Sequence, residues 1–211
     1  MADIAEPRPA PIFNLSFNKC GTTTLHRFLQ GNGLKSRSHG GNNTARNLAC
    51  TFFRNFSAQR DPLTGIRQFA AFHDLNFVQP DCILEANALF RYFHEYHPGA
   101  WFIFVHRDVD DWIRSRFRHG QGDFAERYKT YYGLESDTEV EDLWRAQYEN
   151  GAARIREYFA GHPERFLHFD LKRDDPQKVV DFLAPEYELD VSLWSIENAK
   201  PPLPDAGSPR A

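Results

Sequence analysis

Short strand-like runs alternate with longer amphipathic stretches along the 211-residue chain. The runs at 11–17, 34–38, 68–72, 100–105 and 165–169 have the length of strands. Apolar residues spaced three or four apart predict helices at 22–30, 44–58, 80–97, 108–119, 123–131, 138–160 and 175–184. Strands separated by helices favour a parallel sheet covered on both faces. We therefore predict an α/β fold in one domain, 1–211, with flexible ends at 1–10 and 201–211.

The segment after the first predicted strand has the composition of an anion-binding turn. It reads Lys19-Cys20-Gly21-Thr22-Thr23-Thr24 and leads directly into a predicted helix. Backbone N–H groups at a helix N-terminus point toward a bound anion, the helix dipole favours negative charge there, and glycine allows close approach. Lysine adds a positive charge and the hydroxyls add donors. The lysine precedes the glycine, whereas the phosphate loop G-x-x-x-x-G-K-[ST] has the opposite order.

A second candidate anion site follows the most apolar run, 100–105. Arg107 lies at the carboxyl end of this predicted strand, where ligands of open α/β sheets bind. Asp108 is a suitable N-cap for the next helix, which carries Trp112 and Ser115. A guanidinium at the strand end and a hydroxyl on the helix could together hold a second phosphate.

These two motifs, in this order, resemble those of the PAPS-dependent sulfotransferases, most closely a bacterial soluble branch. Lys19-Cys20-Gly21-Thr22-Thr23 is similar to that family's 5′-phosphosulfate loop, although Asn18 stands where the family often has proline. Arg107 and Ser115 match its 3′-phosphate site in identity and spacing, and Asn198-Ala199-Lys200 resembles its C-terminal Asn-x-Lys. The likeness extends over roughly 11–200. It implies a P-loop-like three-layer fold with a central, mainly parallel sheet flanked by helices.

The resemblance also implies a reaction, in which a sulfuryl group moves from PAPS to a hydroxyl or amine acceptor by in-line displacement. Lys19 would stabilise the phosphosulfate and the leaving oxygen, and the loop through Thr24, with Lys200, would bind the nucleotide. Family members place a general base after a strand between the two motifs. Asp74 is our first choice there and His73 the second, and each also has an ordinary structural interpretation, as a cap or as a packed side chain. No metal is implied.

Composition limits the partners and the compartment. A net charge of −4 argues against a nucleic-acid binder, and no apolar run is long enough to span a bilayer. Three scattered cysteines suit a reducing compartment, and the first residues lack a signal-peptide pattern. We therefore expect a soluble cytoplasmic protein. The arginines at 114, 116 and 118 could attract an anionic acceptor, but a solvated helix face is the more ordinary interpretation and the one we expect. Cys20 is expected to be a small buried thiol.

Two alternatives and the acceptor stay open at this stage. A P-loop nucleoside or nucleotide kinase should show G-K-[ST] and an acidic magnesium ligand, and the chain lacks the first of these. A non-catalytic nucleotide-binding protein of the same fold would keep both motifs. The acceptor is a small molecule, a lipid or a saccharide, with Arg37, His39 and the segment 40–43 as candidate pocket residues. The oligomeric state is not predicted.

Overall fold

The computed structural model describes residues 9–196 of the chain. Its strands are β1 Ile12–Asn14, β2 Ser36–Ser38, β3 Ala71–His73, β4 Asn76–Gln79, β5 Cys82–Glu85, β6 Trp101–His106 and β7 Phe166–Asp170. Its α-helices are α1 Thr22–Gly31, α2 Leu48–Ser57, α3 Phe90–Tyr96, α4 Val109–Phe117, α5 Asp123–Tyr132, α6 Asp137–Phe159 and α7 Gln177–Leu183. Short 3-10 turns occupy 86–89, 119–122, 163–165 and 191–193.

Five strands form a central sheet in the order β2-β3-β1-β6-β7, and every neighbouring pair is parallel. β1 lies in the middle, with β3 on one side and β6 on the other. The chain thus builds one half of the sheet before it crosses β1 to build the other. A crevice forms at such a switch point, beyond the carboxyl ends of the strands. The predicted α/β fold with a mainly parallel central sheet between helices is confirmed.

The strand β6 shows why both faces of the sheet are covered. Phe102 and Phe104 pack on one face, with α2, α3 and α6, whereas Trp101, Ile103 and Val105 pack on the other, with α1 and α7. All five side chains are at most 3% exposed. Successive residues of a strand point to opposite faces, so a strand that is buried on both sides is apolar at every position.

The prediction of a helix over 80–97 is wrong in its first half. β4 and β5 form an antiparallel hairpin instead, in which Asn76 pairs with Glu85. Pro80 restricts the preceding residue to extended conformations and, with Asp81, provides the two-residue turn. Helical hydrogen bonding begins only with the 3-10 turn at 86–89 and α3. The apolar residues of this segment fit a helical spacing as well as a strand, so periodicity alone did not separate the two.

Most other boundaries agree with the predicted ones to within a few residues. The first strand is shorter than expected, because the chain leaves the sheet after Asn14 and the residues up to the turn form an extended loop. Asn32 ends α1 and Gly33 follows with φ of 80°, as expected of a C-cap. None of the helices within 9–196 has the combination of length and apolar character needed to cross a bilayer.

Candidate active site

A cavity of about 1750 Å³ lies at the carboxyl edge of the central sheet. Its wall includes residues that end or follow all five strands, at 18, 19, 21–23, 39, 41, 42, 74, 106–108 and 170–173. Further wall residues come from α4, from β4 and from the region 119–127. Both candidate anion motifs therefore line the same cavity, at the position that the topology predicts for a ligand.

The turn before α1 has a backbone that few side chains adopt. Lys19 has φ of 66° and Gly21 has φ of 81°, and both line the cavity. A Cβ atom at Gly21 would lie 2.6 Å from Cδ2 of Leu171, so that side chain would have to shift, and the positive φ also favours glycine. The N-cap residue is Gly21, so no side chain caps the N-terminus of α1. Thr22 and Thr23, the first two residues of α1, face the cavity. The first N–H groups of a helix have no intrahelical acceptor, which makes this end suited to an anion.

Two residues of the predicted loop do not line the cavity. Cys20 is fully buried, its N–H donates to the carbonyl of Phe17 at 3.3 Å, and burial raises the pKa of its thiol to about 12. The thiol is therefore neutral and packs in the core, as the sequence analysis predicted. Thr24 is 1% exposed and packs beneath the loop.

The segment after β6 and the helix α4 hold the loop in place through two hydrogen bonds to its carbonyl groups. Arg107 donates from Nη1 to the carbonyl of Lys19 at 2.7 Å, and the buried Trp112 donates from Nε1 to the carbonyl of Asn18 at 2.8 Å. Tyr148 in α6 hydrogen-bonds to the backbone of Arg107, accepting from its N–H at 3.0 Å and donating to its carbonyl at 2.6 Å. The two motifs, 88 residues apart, are thus one hydrogen-bonded unit.

Asp74 and His73, the two candidate bases, lie in different environments. Asp74 lines the cavity in a left-handed conformation with φ of 56°, and its carboxylate accepts a hydrogen bond from the hydroxyl of Thr22. Burial raises the pKa of Asp74, although His39 and Lys19 act in the opposite direction. His73 is 0% exposed and lies behind the cavity wall, with Nδ1 3.3 Å from the side-chain amide of Asn14. Burial lowers the pKa of His73 well below its ordinary value.

Backbone strain is concentrated at this cavity. Within residues 9–196, five non-glycine residues have positive φ, and three of them, Lys19, His39 and Asp74, line the cavity wall. Such conformations cost about 1–3 kcal/mol each and persist only where the surrounding structure enforces them. Their clustering at one cavity makes it the candidate functional site.

The prediction for the three arginines of α4 is wrong at its middle member. Arg114 and Arg118 line the cavity, but Arg116 is 0% exposed on the opposite side of the helix. Its Nη2 donates to Glu85 at 3.1 Å and to the hydroxyl of Tyr128 at 2.7 Å. Its guanidinium also lies over four aromatic rings at 4.6–4.9 Å, those of Trp112, Phe124, Tyr128 and Trp144. Residues two apart on a helix face different sides, so the buried position follows from the geometry of α4.

Ser115 lines the cavity beside Arg107, as the motif spacing predicted. Of the candidate pocket residues, His39, Gly41 and Asn42 line it as well. Arg37 lies elsewhere, where it donates to the carbonyl of Arg46 at 3.2 Å. Lys200 and the Asn-x-Lys segment lie outside the described residues.

Three wall residues at the end of the cavity next to β4 had no sequence signal: His119, Phe124 and Arg127. Arg127 in α5 donates from Nη1 to the carbonyl of Val78 at 3.1 Å. Burial, followed by the charges of Lys19, Arg116 and Arg127, lowers the pKa of His119. These residues reach the cavity only because the hairpin β4–β5 brings α5 against it, and the hairpin itself was not predicted.

The wall of the cavity is electropositive, although the chain carries a net charge of −4. Within 9–196, the wall contains seven Lys or Arg side chains and four Asp side chains, a formal charge of +3 with neutral histidines. Asp111 forms ion pairs with Arg114 and Lys172, which neutralise its negative charge. Such a wall attracts an anionic ligand.

Comparison with known families agrees with this geometry. A sequence model of the sulfotransferase domain matches residues 11–121, which is 111 of the 211 residues and includes both anion motifs. The chain belongs to the sulfotransferase family. Comparison with curated proteins gives no match. Among residues 9–196, no group of three or more His, Cys, Asp and Glu side chains is arranged to hold a metal ion in this sulfotransferase.

Proposed function

We propose that this sulfotransferase uses PAPS as its donor and transfers the sulfuryl group to a hydroxyl or amine acceptor. The observation that carries the proposal is the single cavity in which two anion-binding motifs are joined by the 2.7 Å hydrogen bond from Arg107 to Lys19. PAPS carries two separate anionic groups, a 5′ phosphosulfate and a 3′ phosphate. One cavity that contains two anion-binding motifs suits such a donor better than a single phosphate loop does.

The 5′ phosphosulfate would bind at the N-terminus of α1. The amides of Thr22 and Thr23 are available at the first turn, and the side chain of Lys19 adds a charge. The 3′ phosphate would bind to the guanidinium of Arg107 and the hydroxyl of Ser115, a pairing suited to phosphate because arginine grips oxygens bidentately. Lys200, which lies outside the described residues, stays a candidate for nucleotide binding.

The chemistry is an in-line displacement in which the protein supplies position and charge. The acceptor oxygen forms a bond to sulfur while the bond between sulfur and the bridging phosphate oxygen breaks. The electron pair of that bond moves to the departing PAP, where Lys19 and the helix amides stabilise the new charge. The acceptor proton passes to the base. We assign that role to Asp74 in preference to His73, because Asp74 lines the cavity and His73 is fully buried.

The donor assignment is tested by thermal unfolding with PAP, ATP and Mg-ATP. PAP at 100 times its dissociation constant should stabilise the protein by about 2.7 kcal/mol, which raises Tm by roughly 5–10 °C. Stabilisation by PAP without a metal is the expected result. A preference for Mg-ATP would overturn the proposal in favour of the kinase alternative.

Transfer of labelled sulfate from PAPS tests the catalytic role of Lys19. Asparagine is the suitable replacement, because it tolerates the left-handed conformation of this residue and removes the charge. We expect Lys19→Asn to lower kcat by about 10²–10³-fold, the usual effect of one missing oxyanion donor. Lys35→Ala, an exposed residue outside the cavity, is the control and should leave kcat unchanged. Equal turnover in the two variants would contradict the role of Lys19.

A further inference from the structure

Part of the cavity wall is not assigned to the proposed donor. The groups assigned to PAPS come from the loop before α1, from Arg107 and from α4, whereas β4, α5 and the segment after β2 supply other wall residues. We call the part of the wall formed by these other elements, with Asp74 and His119, the acceptor end. Its wall consists of nine residues: His39, Gly41, Asn42, Asp74, Asn76, Val78, His119, Phe124 and Arg127.

The acceptor end has little apolar wall. Only Val78 and Phe124 have hydrocarbon side chains, and they are 5% and 6% exposed. A site for an alkyl chain or a fused ring system is usually lined mainly by hydrophobic and aromatic side chains. The described wall is therefore a poor match for a lipid or an apolar phenol.

Two buried oxygen atoms of residues in the cavity wall lack a donor. Asn18, 5% exposed, and Asp74 both line the cavity, and neither Oδ1 atom has a hydrogen-bond partner among residues 9–196. An unpaired buried acceptor costs about 1–3 kcal/mol, so a ligand that brings hydroxyl donors gains the corresponding free energy. A polyhydroxylated molecule supplies such donors, and an apolar one does not.

Positive charge surrounds the same end. Arg127 is half-buried and is held toward β4 by its hydrogen bond to Val78, and Arg118 reaches the cavity from the last turn of α4. His39 and His119 add two further groups that can bind an anion, and Asp74 is the only acid among the nine residues. The lowered pKa of His119, caused by burial and then by Lys19, Arg116 and Arg127, agrees with an excess of positive charge.

We propose that the acceptor is a polyhydroxylated, saccharide-like molecule that carries an anionic group, with Arg127 as the residue that recognises the anion. Its hydroxyl groups donate to Asp74 and Asn18, and its carboxylate, sulfate or phosphate lies against Arg127 and His119. This inference rests on the proposed function, since it names the acceptor of that reaction.

The test compares acceptors that share a ring and differ in charge. Labelled transfer from PAPS is measured with glucuronate, methyl glucoside and glucosamine, and with 2-naphthol as an apolar hydroxyl. We expect kcat/KM for glucuronate to exceed that of each of the others at least tenfold, and its KM to rise with salt concentration. An equal or higher kcat/KM for 2-naphthol or for the neutral or cationic sugar would overturn the inference.

Arg127→Gln separates recognition from chemistry. We expect the KM for glucuronate to rise about tenfold while its kcat and the KM for methyl glucoside change less than twofold. Arg127→Lys should restore part of the preference, and Arg60→Gln, an exposed arginine outside the cavity, should change nothing. A uniform loss with all acceptors would indicate a structural role for Arg127 and would contradict its assignment.

Binding of PAP, measured by calorimetry, distinguishes failure of the proposed function from failure of the inference about the acceptor. A protein that does not bind PAP would refute the proposed function. If PAP binds but no acceptor is turned over, the same four compounds are titrated into the PAP complex. Tighter binding of glucuronate than of methyl glucoside, lost in Arg127→Gln, would support the inference, and equal or absent binding would refute it.

Discussion

The hydrogen bond from Trp112 to the carbonyl of Asn18 allows a sharp test of how α4 positions the loop. Trp112 is 0% exposed and donates from Nε1 at 2.8 Å. In Trp112→Phe the ring still fills most of the site, but the carbonyl of Asn18 loses its donor. We therefore expect the variant to fold and to bind nucleotide less well, because its loop is no longer fixed from behind.

The magnitude follows from two contributions. A buried carbonyl without its donor costs about 1–3 kcal/mol. The smaller ring leaves a cavity that costs about 1 kcal/mol, at about 24 cal/mol per Å³ of unfilled volume. Together these lower the free energy of unfolding by about 2–4 kcal/mol. For a chain of this length the corresponding fall in Tm is roughly 4–16 °C.

Trp144→Phe is a closely matched control. Trp144 is also 0% exposed, and its ring lies at the same 4.6 Å from the guanidinium of Arg116 as that of Trp112. Its Nε1, however, has no hydrogen-bond partner among residues 9–196. The substitution there removes an unsatisfied donor and should cost only the packing contribution. The difference between the two variants isolates the hydrogen bond to the loop.

Urea unfolding and PAP calorimetry provide the two measurements. We expect Trp112→Phe to be at least 1 kcal/mol less stable than Trp144→Phe and to bind PAP about tenfold more weakly, a change equivalent to about 1.4 kcal/mol. Trp144→Phe should bind PAP as the unsubstituted protein does. Equal stability and equal PAP affinity in the two variants would refute the argument that Trp112 positions the loop.

Two further predictions concern residues of the cavity wall. Asp74→Asn keeps the left-handed backbone and should lower kcat by about 10²–10⁴-fold if Asp74 is the base. Burial raises the folded-state pKa of Asp74, so its favourable contribution to stability is present below the ordinary carboxyl pKa and is lost as pH rises through the raised value. In urea unfolding, the stability of Asp74→Asn relative to the unsubstituted protein should therefore increase as the pH rises from 4 to 8. A stability difference that does not change with pH would contradict the raised pKa. Gly21→Ala should cost more than Gly33→Ala, because both have φ near 80° but only at Gly21 would the new Cβ meet Leu171, at 2.6 Å. Equal unfolding free energies would show that Leu171 moves aside without cost.

The meeting of the two anion motifs in one cavity was predictable from sequence because it depends on two adjacent parallel strands. β1 and β6 are neighbours, with Asn14 opposite Ile103. The N–H of Leu15, the residue after β1, still donates to the carbonyl of Ile103. Segments that follow neighbouring parallel strands must meet at the same edge of the sheet. A motif after each strand is therefore enough to predict one shared site, without any knowledge of side-chain packing.

The buried Arg116 shows what an element-level prediction omits. Arginine is almost never fully buried without a partner, so composition alone favours solvent for all three arginines of α4. Position 116 is one turn beyond Trp112 on the same face, which the structure buries. The partner, Glu85, comes from the unpredicted β5. A buried ion pair can be predicted only when both of its elements are placed.

The acceptor end was not predictable from sequence, and the reason is physical. It is enclosed by β4 and α5, which meet only because the segment 76–85 folds as a hairpin. That segment fits a helix and a strand equally well until the turn at Pro80 is given priority. In the proposed function, donor binding uses backbone amides and strand ends, which leave a clear pattern in the sequence. The proposed acceptor recognition uses single side chains such as Arg127, whose position depends on tertiary contacts. On this proposal, variation in the hairpin and α5 would change the acceptor while the donor site stays the same, and specificity should be sought there.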